Sequence, residues 1–168
     1  ANVSLIDATC GSGHFLLGAF ERLWQRWTDA EPAMPADQRA ANALDAVWGV
    51  DINPFAAAIA RFRLLVAAMQ QAEQRRLADV KDYPIHVAVG DSLLWGASSR
   101  SFEGMEGVGG ADHQFLYATE DHEALRATFR RRFTAVVGNP PYIVPRDKAA
   151  NAAYRQRYGS CSGKFSLG

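Results

Sequence analysis

A chain of 168 residues and 18.4 kDa fits one domain, leaves little room for a second core, and is long enough to bury roughly 70% of its unfolded surface. Hydrophobic residues make up 48% and charged residues 21%, which excludes an intrinsically disordered chain, and no apolar run approaches the roughly 18 residues of a membrane span. The zero net charge hides a polarity that points to a polyanion-facing C-terminal region: residues 1–125 carry 9 Lys/Arg and 17 Asp/Glu, residues 126–168 carry 9 Lys/Arg and Asp147 alone.

The chain opens on Ala1 without an initiator Met and runs straight into a strand-like segment, as expected of a piece of a larger protein. No basic segment followed by an apolar stretch marks a signal peptide. Residues 3–8 are short, apolar and closed by small residues, which predicts a buried strand. Gly11-Ser12-Gly13 predicts a turn. Residues 14–27 then predict a helix, because Leu16, Phe20, Leu23 and Trp27 recur on one face. Pro32 and Pro35 interrupt the pattern before a short helix over 36–46 and a second buried strand over 46–51. Asn53 is a capping residue and Pro54 suits a first helical position, so a third helix follows, with Ile59, Phe62, Val66 and Met69 as its apolar face.

Residues 85–89 predict a third strand that ends at Gly90-Asp91. The glycines at 96, 104, 107, 109 and 110 make 95–120 a loop or insertion. A helix over 121–131 and a fourth buried strand over 133–138 lead into Asn139-Pro140-Pro141-Tyr142. Arg130, Arg131 and Arg132 taken alone equally read as cations ending a helix; Arg146, Lys148, Arg155, Arg157 and Lys164 favour the nucleic-acid reading for the whole tail. Cys10 and Cys161 are the only cysteines, which fits a reducing cytoplasm rather than a disulfide framework.

Strands alternating with helices indicate an α/β fold with a mostly parallel, Rossmann-like sheet, and ligands of such sheets bind outside the carboxyl ends of the strands. Asp7 with its glycine loop, Asp51, Asp91 and Asn139 stand at those ends. The glycines let a backbone approach a ligand closely, although the loop alone is also an ordinary tight turn. Asp51 can accept two ribose hydroxyls; helix capping, its other role, is already supplied by Asn53, which leaves Asp51 free. Asp91 can accept an adenine amine or be a surface turn aspartate. In Asn139-Pro140-Pro141-Tyr142 the prolines remove two amide donors, so the Asn139 oxygen and the Pro140 carbonyl form a pair of acceptors suited to a planar amino group. Tyr142 offers a flat face for a ring.

Asp7-Ala8-Thr9-Cys10-Gly11-Ser12-Gly13-His14-Phe15-Leu16 resembles the first motif of S-adenosylmethionine-dependent DNA amino-methyltransferases, and Asn139-Pro140-Pro141-Tyr142 is similar to their catalytic motif. Their order resembles the adenine-N6 class. Residues 160–167, Ser-Cys-Ser-Gly-Lys-Phe-Ser-Leu, resemble the opening of the next motif, and with Asn139–Pro145 they are similar to the large bacterial phage-exclusion and type IIG restriction enzymes. Ala8 departs from the family, which usually has proline there.

The resemblance implies a cofactor site of Asp7, Thr9, Gly11, Gly13, Asp51, Ile52, Asp91, Ser92 and Phe165 for S-adenosylmethionine. It implies that Asn139 and Pro140 hold the target amine, and that Pro141 and Tyr142 meet the base flipped out of double-stranded DNA. The four histidines, at 14, 86, 113 and 122, show no ligand spacing with the cysteines, so no metal is expected, and the lack of a long apolar run leaves no membrane partner expected. The resemblance also implies about seven strands where four are read, so a partial catalytic domain is expected: a cofactor half at 1–94, the insertion at 95–120, and a catalytic loop with basic region at 121–168. The recognition domain would lie outside it, and an open sheet edge would lie beside the fourth strand. Cytosine N4, an RNA base or a protein glutamine presents a similar planar amine, and a decayed cofactor-binding module is the non-enzymatic alternative.

Overall fold

A computed structural model of the chain describes residues 3–80, 82–98, 119–140 and 148–158. Four parallel strands, β1 (Leu5–Asp7), β2 (Val47–Asp51), β3 (His86–Val89) and β4 (Ala135–Val137), form one sheet in the order β3-β2-β1-β4. Between them run α1 (His14–Ala30), α2 (Ala36–Asp45), α3 (Pro54–Gln71), a 3-10 turn (Leu77–Asp79), α4 (Ser92–Ser98) and α5 (His122–Arg130). A sixth helix, α6 (Lys148–Arg157), follows β4. No described helix is long and apolar enough to cross a membrane.

The two-residue strand period sorts side chains onto two faces. Val47, Val87 and Val89 point into the larger core, which Leu16 and Phe20 of α1, Ala40 and Leu44 of α2, and Ala57, Ala60 and Leu64 of α3 complete. Val50 and Ala88 point the other way, onto Leu125 of α5. The chain therefore winds from β1 to β3 on one face of the sheet. It then returns across the other face to β4, placing the switch in direction between β1 and β4, where open α/β sheets bind ligands.

The expected elements appear at their expected places, with strands one to three residues shorter and α1 three residues longer than read. Three features differ. First, α3 buries Ala57, Ala60, Leu64, Ala68 and Met69, while Ile59 and Phe62 are exposed. This helix is apolar nearly all round, so periodicity could not choose its inward face, and close packing selects its small residues. A Cβ on Gly13, itself at φ 84°, would lie 3.0 Å from Ala60 Cβ. Second, α4 occupies part of what reads as loop. Third, α6 lies in what reads only as a basic tail.

Candidate active site

Asp7 closes β1 at 1% exposure, and its Oδ1 accepts the Thr9 N–H at 3.0 Å, which turns the chain out of the strand. The loop continues through Gly11 at φ 55° and Gly13. Arg63 of α3 holds it from outside, donating to the Ser12 carbonyl at 2.9 Å. Nothing lies within 4 Å of where a Gly11 Cβ would stand, so the loop backbone faces open space.

Asp51 is not the free carboxylate that the sequence suggests. Its Oδ2 accepts the Gly11 N–H at 2.7 Å and its Oδ1 accepts the Asn53 N–H at 2.9 Å. The cause is the pairing of β1 with β2, which sets the end of β2 beside the amides of the glycine loop. Asn53 does cap α3 as expected, accepting from Phe55 and Ala56. A carboxylate offers about four acceptor directions, so Asp51 keeps capacity for a ligand. Ile52, next in the chain, is half exposed.

Asp91 lies at the end of β3 but is buried, not on a surface turn. Its Oδ1 accepts the Leu93 and Leu94 amides at 3.0 and 3.2 Å, which opens α4 at Ser92. Its Oδ2 accepts a hydrogen bond from the Tyr154 hydroxyl of α6. Glu120, also buried, accepts the Asp91 N–H at 3.3 Å and the Trp95 indole N–H at 3.0 Å. Sequence reading missed Arg63, Glu120 and Tyr154. The spacing of Tyr154 and Tyr158, one helical turn apart, was the available signal for the last, since both hydroxyls dock on the α4 region.

At β4 the register places Val137 beside Asp7, so Gly138 and Asn139 emerge against the glycine loop. Asn139 and Pro140 are exposed at this edge. Pro141, Tyr142, Phe165 and the 160–167 segment lie outside the described residues. Thus Asp7, Thr9, Gly11, Gly13, Asp51 and Asn139 gather around the β1–β4 switch, and Asp91 and Ser92 sit at the far end of the same carboxyl edge.

Two of the described basic residues lie away from the carboxyl edge. Arg131 and Arg132 precede β4 and therefore lie at the opposite, amino edge of the sheet. There they line a cavity of about 700 Å³ with Arg26 and Trp27, and Arg131 stacks over the Trp48 ring at 4.9 Å. For that triplet, ending a helix is the better description: α5 stops at Arg130.

Burial raises the Asp7 carboxyl above the ordinary carboxylate range; the Thr9 amide opposes this and the nearby Asp51 charge adds to it. Burial, with the charges of Asp51 and Asp7, pushes the Cys10 thiol up to about 12. Cys10 is thus a protonated core side chain at neutral pH and not a nucleophile.

Residues 45–167 match the Eco57I restriction-modification methylase family. An adenine-specific methyltransferase, PglX, of Streptomyces coelicolor is 48% identical over 98% of the chain, and the chain spans 14% of that relative's length. Two solved structures share the fold at 18% identity. One is a nuclease-deletion mutant of the Type ISP restriction-modification enzyme LlaGI in complex with a DNA substrate mimic, at a TM-score of 0.53 over 84% of this chain and 10% of that one. The other is the ATP-dependent Type ISP enzyme LlaBIII bound to DNA, at 0.56 over 89% and 9%. The chain belongs to the Eco57I restriction-modification methylase family.

Proposed function

We propose that the protein transfers a methyl group from S-adenosylmethionine to the N6 amine of adenine in DNA, within a restriction-modification or phage-defence system. The observation that carries this reading is the seating of Gly138, the residue before Asn139–Pro140, against Asp7 and Thr9 at the β1–β4 switch. The activity named for the 48% identical relative supports it, as does the DNA bound by the two fold relatives.

The residues present fit the cofactor. Gly11 leaves open space along the loop, and Asp51 beside it keeps free acceptor directions for a pair of ribose hydroxyls. Asp7, Thr9, Gly11 and Gly13 would line the methionine end, Ile52 would lie against the adenine ring, and Asp91 and Ser92 would meet the ring's polar edge. When bound, the cofactor supplies an electrophilic methyl group.

The work of the chain is to present a poor nucleophile. The target amine's lone pair is conjugated with its ring. The Asn139 oxygen and the Pro140 carbonyl accept both N–H bonds, which favours the pyramidal nitrogen over the flat one and so stabilises the transition state more than the bound base. Pro141 and Tyr142 would hold the flipped base, Tyr142 by stacking.

Incubating the intact protein with methyl-labelled cofactor and duplex DNA, RNA or protein, followed by nucleoside analysis, tests the reading. Label in N6-methyladenine of DNA is expected. Label in N4-methylcytosine, RNA or protein, or none at all, would overturn it.

A further inference from the structure

Asp91 has nearly all of its acceptor capacity filled. Two backbone amides take Oδ1, and the Tyr154 hydroxyl takes one of the two directions of Oδ2. One acceptor direction remains, and it belongs to the oxygen that Tyr154 holds. A carboxylate turns about its last bond over a broad, shallow profile, so the two amides and the hydroxyl together fix where that remaining direction points.

The hydroxyl is itself fixed. Tyr154 is 4% exposed, and Tyr158, just past the end of α6, donates to the Leu93 carbonyl at 2.6 Å. The α6 segment thus holds the α4 opening at two points, Asp91 itself and Leu93. It is also the helix that follows the Asn139–Pro140 end of β4 in the chain, yet it is anchored beside β3. Those two strands stand at opposite edges of the sheet, three strand spacings or about 14 Å apart.

We propose that Tyr154 is a positioning residue for the cofactor: its hydroxyl aims the one unfilled acceptor of Asp91 at the exocyclic amine of the adenine ring, and so makes the site select an aminopurine. This rests on the proposed use of S-adenosylmethionine. The opposite reading, that Tyr154 occupies the place of the amine and blocks it, makes the opposite prediction, because removing a blocking hydroxyl tightens binding.

The test compares two ligands on the intact protein by calorimetry: S-adenosylmethionine and its analogue with hydrogen in place of the 6-amino group. The wild type is expected to prefer the amine-bearing ligand. Tyr154→Phe keeps the ring and removes only the hydroxyl, and it is expected to reduce that preference by about 3- to 10-fold, mainly through weaker binding of the amine-bearing ligand. Asp91→Asn should reduce the preference as well, and adding Tyr154→Phe to it should change little further. Because the readout is a ratio of affinities on one protein, a partial loss of folded molecules cancels. An unchanged ratio in Tyr154→Phe, or tighter binding of S-adenosylmethionine, would overturn the proposal. A wild type that bound neither ligand would instead remove the proposed cofactor, and this inference with it.

Discussion

Gly138 stands directly against Asp7: a Cβ on Gly138 would lie 2.9 Å from Asp7 Oδ1 and 3.3 Å from Thr9 Oγ1. The last residue before Asn139 is therefore glycine for a spatial reason, since any side chain would push β4 away from the buried carboxylate that organises the loop. Gly138→Ala should destabilise the fold by about 1–3 kcal/mol, as overpacking does, and should lower single-turnover methyl transfer by displacing Asn139. Denaturant unfolding and a single-turnover assay on the same preparation check both. An alanine variant with normal stability and rate would show that the approach is not needed.

The double engagement of Asp51 changes what its removal should do. Were its carboxylate free, Asp51→Ala would lower only cofactor affinity. Because it also receives the Gly11 and Asn53 amides, the substitution should weaken cofactor binding on the order of 10- to 100-fold and destabilise the cofactor-free protein by about 1–3 kcal/mol. Asp51→Asn can still accept one of those amides and should fall between. Calorimetry and cofactor-free unfolding, measured side by side, separate the two effects.

Much of this arrangement was legible in the sequence because strand ends and turns are written locally. Short apolar runs closed by Asp-Ala-Thr-Cys-Gly, Asp-Ile-Asn-Pro or Gly-Asn-Pro mark where strands stop, and a parallel sheet then brings those stops to one edge. What was not legible depends on long-range partners. The inward face of α3 departs from the periodicity because Ile59 and Phe62 carry the stronger apolar signal, whereas close packing, with Ala60 against Gly13, selects Ala57, Ala60 and Leu64. Asp51 looked free because its Gly11 partner is 40 residues away, and the Tyr154 bond to Asp91 spans 63. Arg131 and Arg132 lie at the amino edge of the sheet, a placement that depends on the pairing of β4 with β1 and is not written in the local sequence.

The protonation of Asp7 offers a test by pH. Its carboxyl is raised above 3.8 in the folded, ligand-free protein, so folding takes up a proton in the window above that value. The group's contribution to stability is then fully present below its unfolded pKa and is lost as pH rises through the folded one. Asp7→Asn, which can still accept the Thr9 amide, should remove that decline and stabilise the ligand-free protein more at pH 7 than at pH 4. A cationic ligand favours the ionised carboxylate, so affinity for S-adenosylmethionine should rise with pH through the same window in the wild type and flatten in Asp7→Asn. Unfolding and calorimetric series over pH 4–8 check both signs.

The sharpest prediction concerns Asn139. It is exposed at the end of β4 and follows Gly138, which stands against Asp7 and Thr9. Removing one preorganised group aimed at the transition state typically raises the barrier by about 3–4 kcal/mol, on the order of 100- to 1,000-fold in rate. Asn139→Ala should therefore nearly abolish methyl transfer. Since the group contributes to neither the Asp7–Gly13 loop nor the Asp51 contacts, cofactor affinity should stay within about 2-fold. Tyr142→Ala should act at a different step, weakening capture of the flipped base because base stacking is worth roughly 1–3 kcal/mol, with Tyr142→Phe mild. Single-turnover methylation of a duplex holding one target adenine, with the cofactor saturating, separates the two: Asn139→Ala should lower the limiting rate, and Tyr142→Ala should raise the DNA concentration needed to reach it. An Asn139→Ala protein that kept near-normal turnover would mean that the Asn139–Pro140 acceptors do not hold the reacting amine.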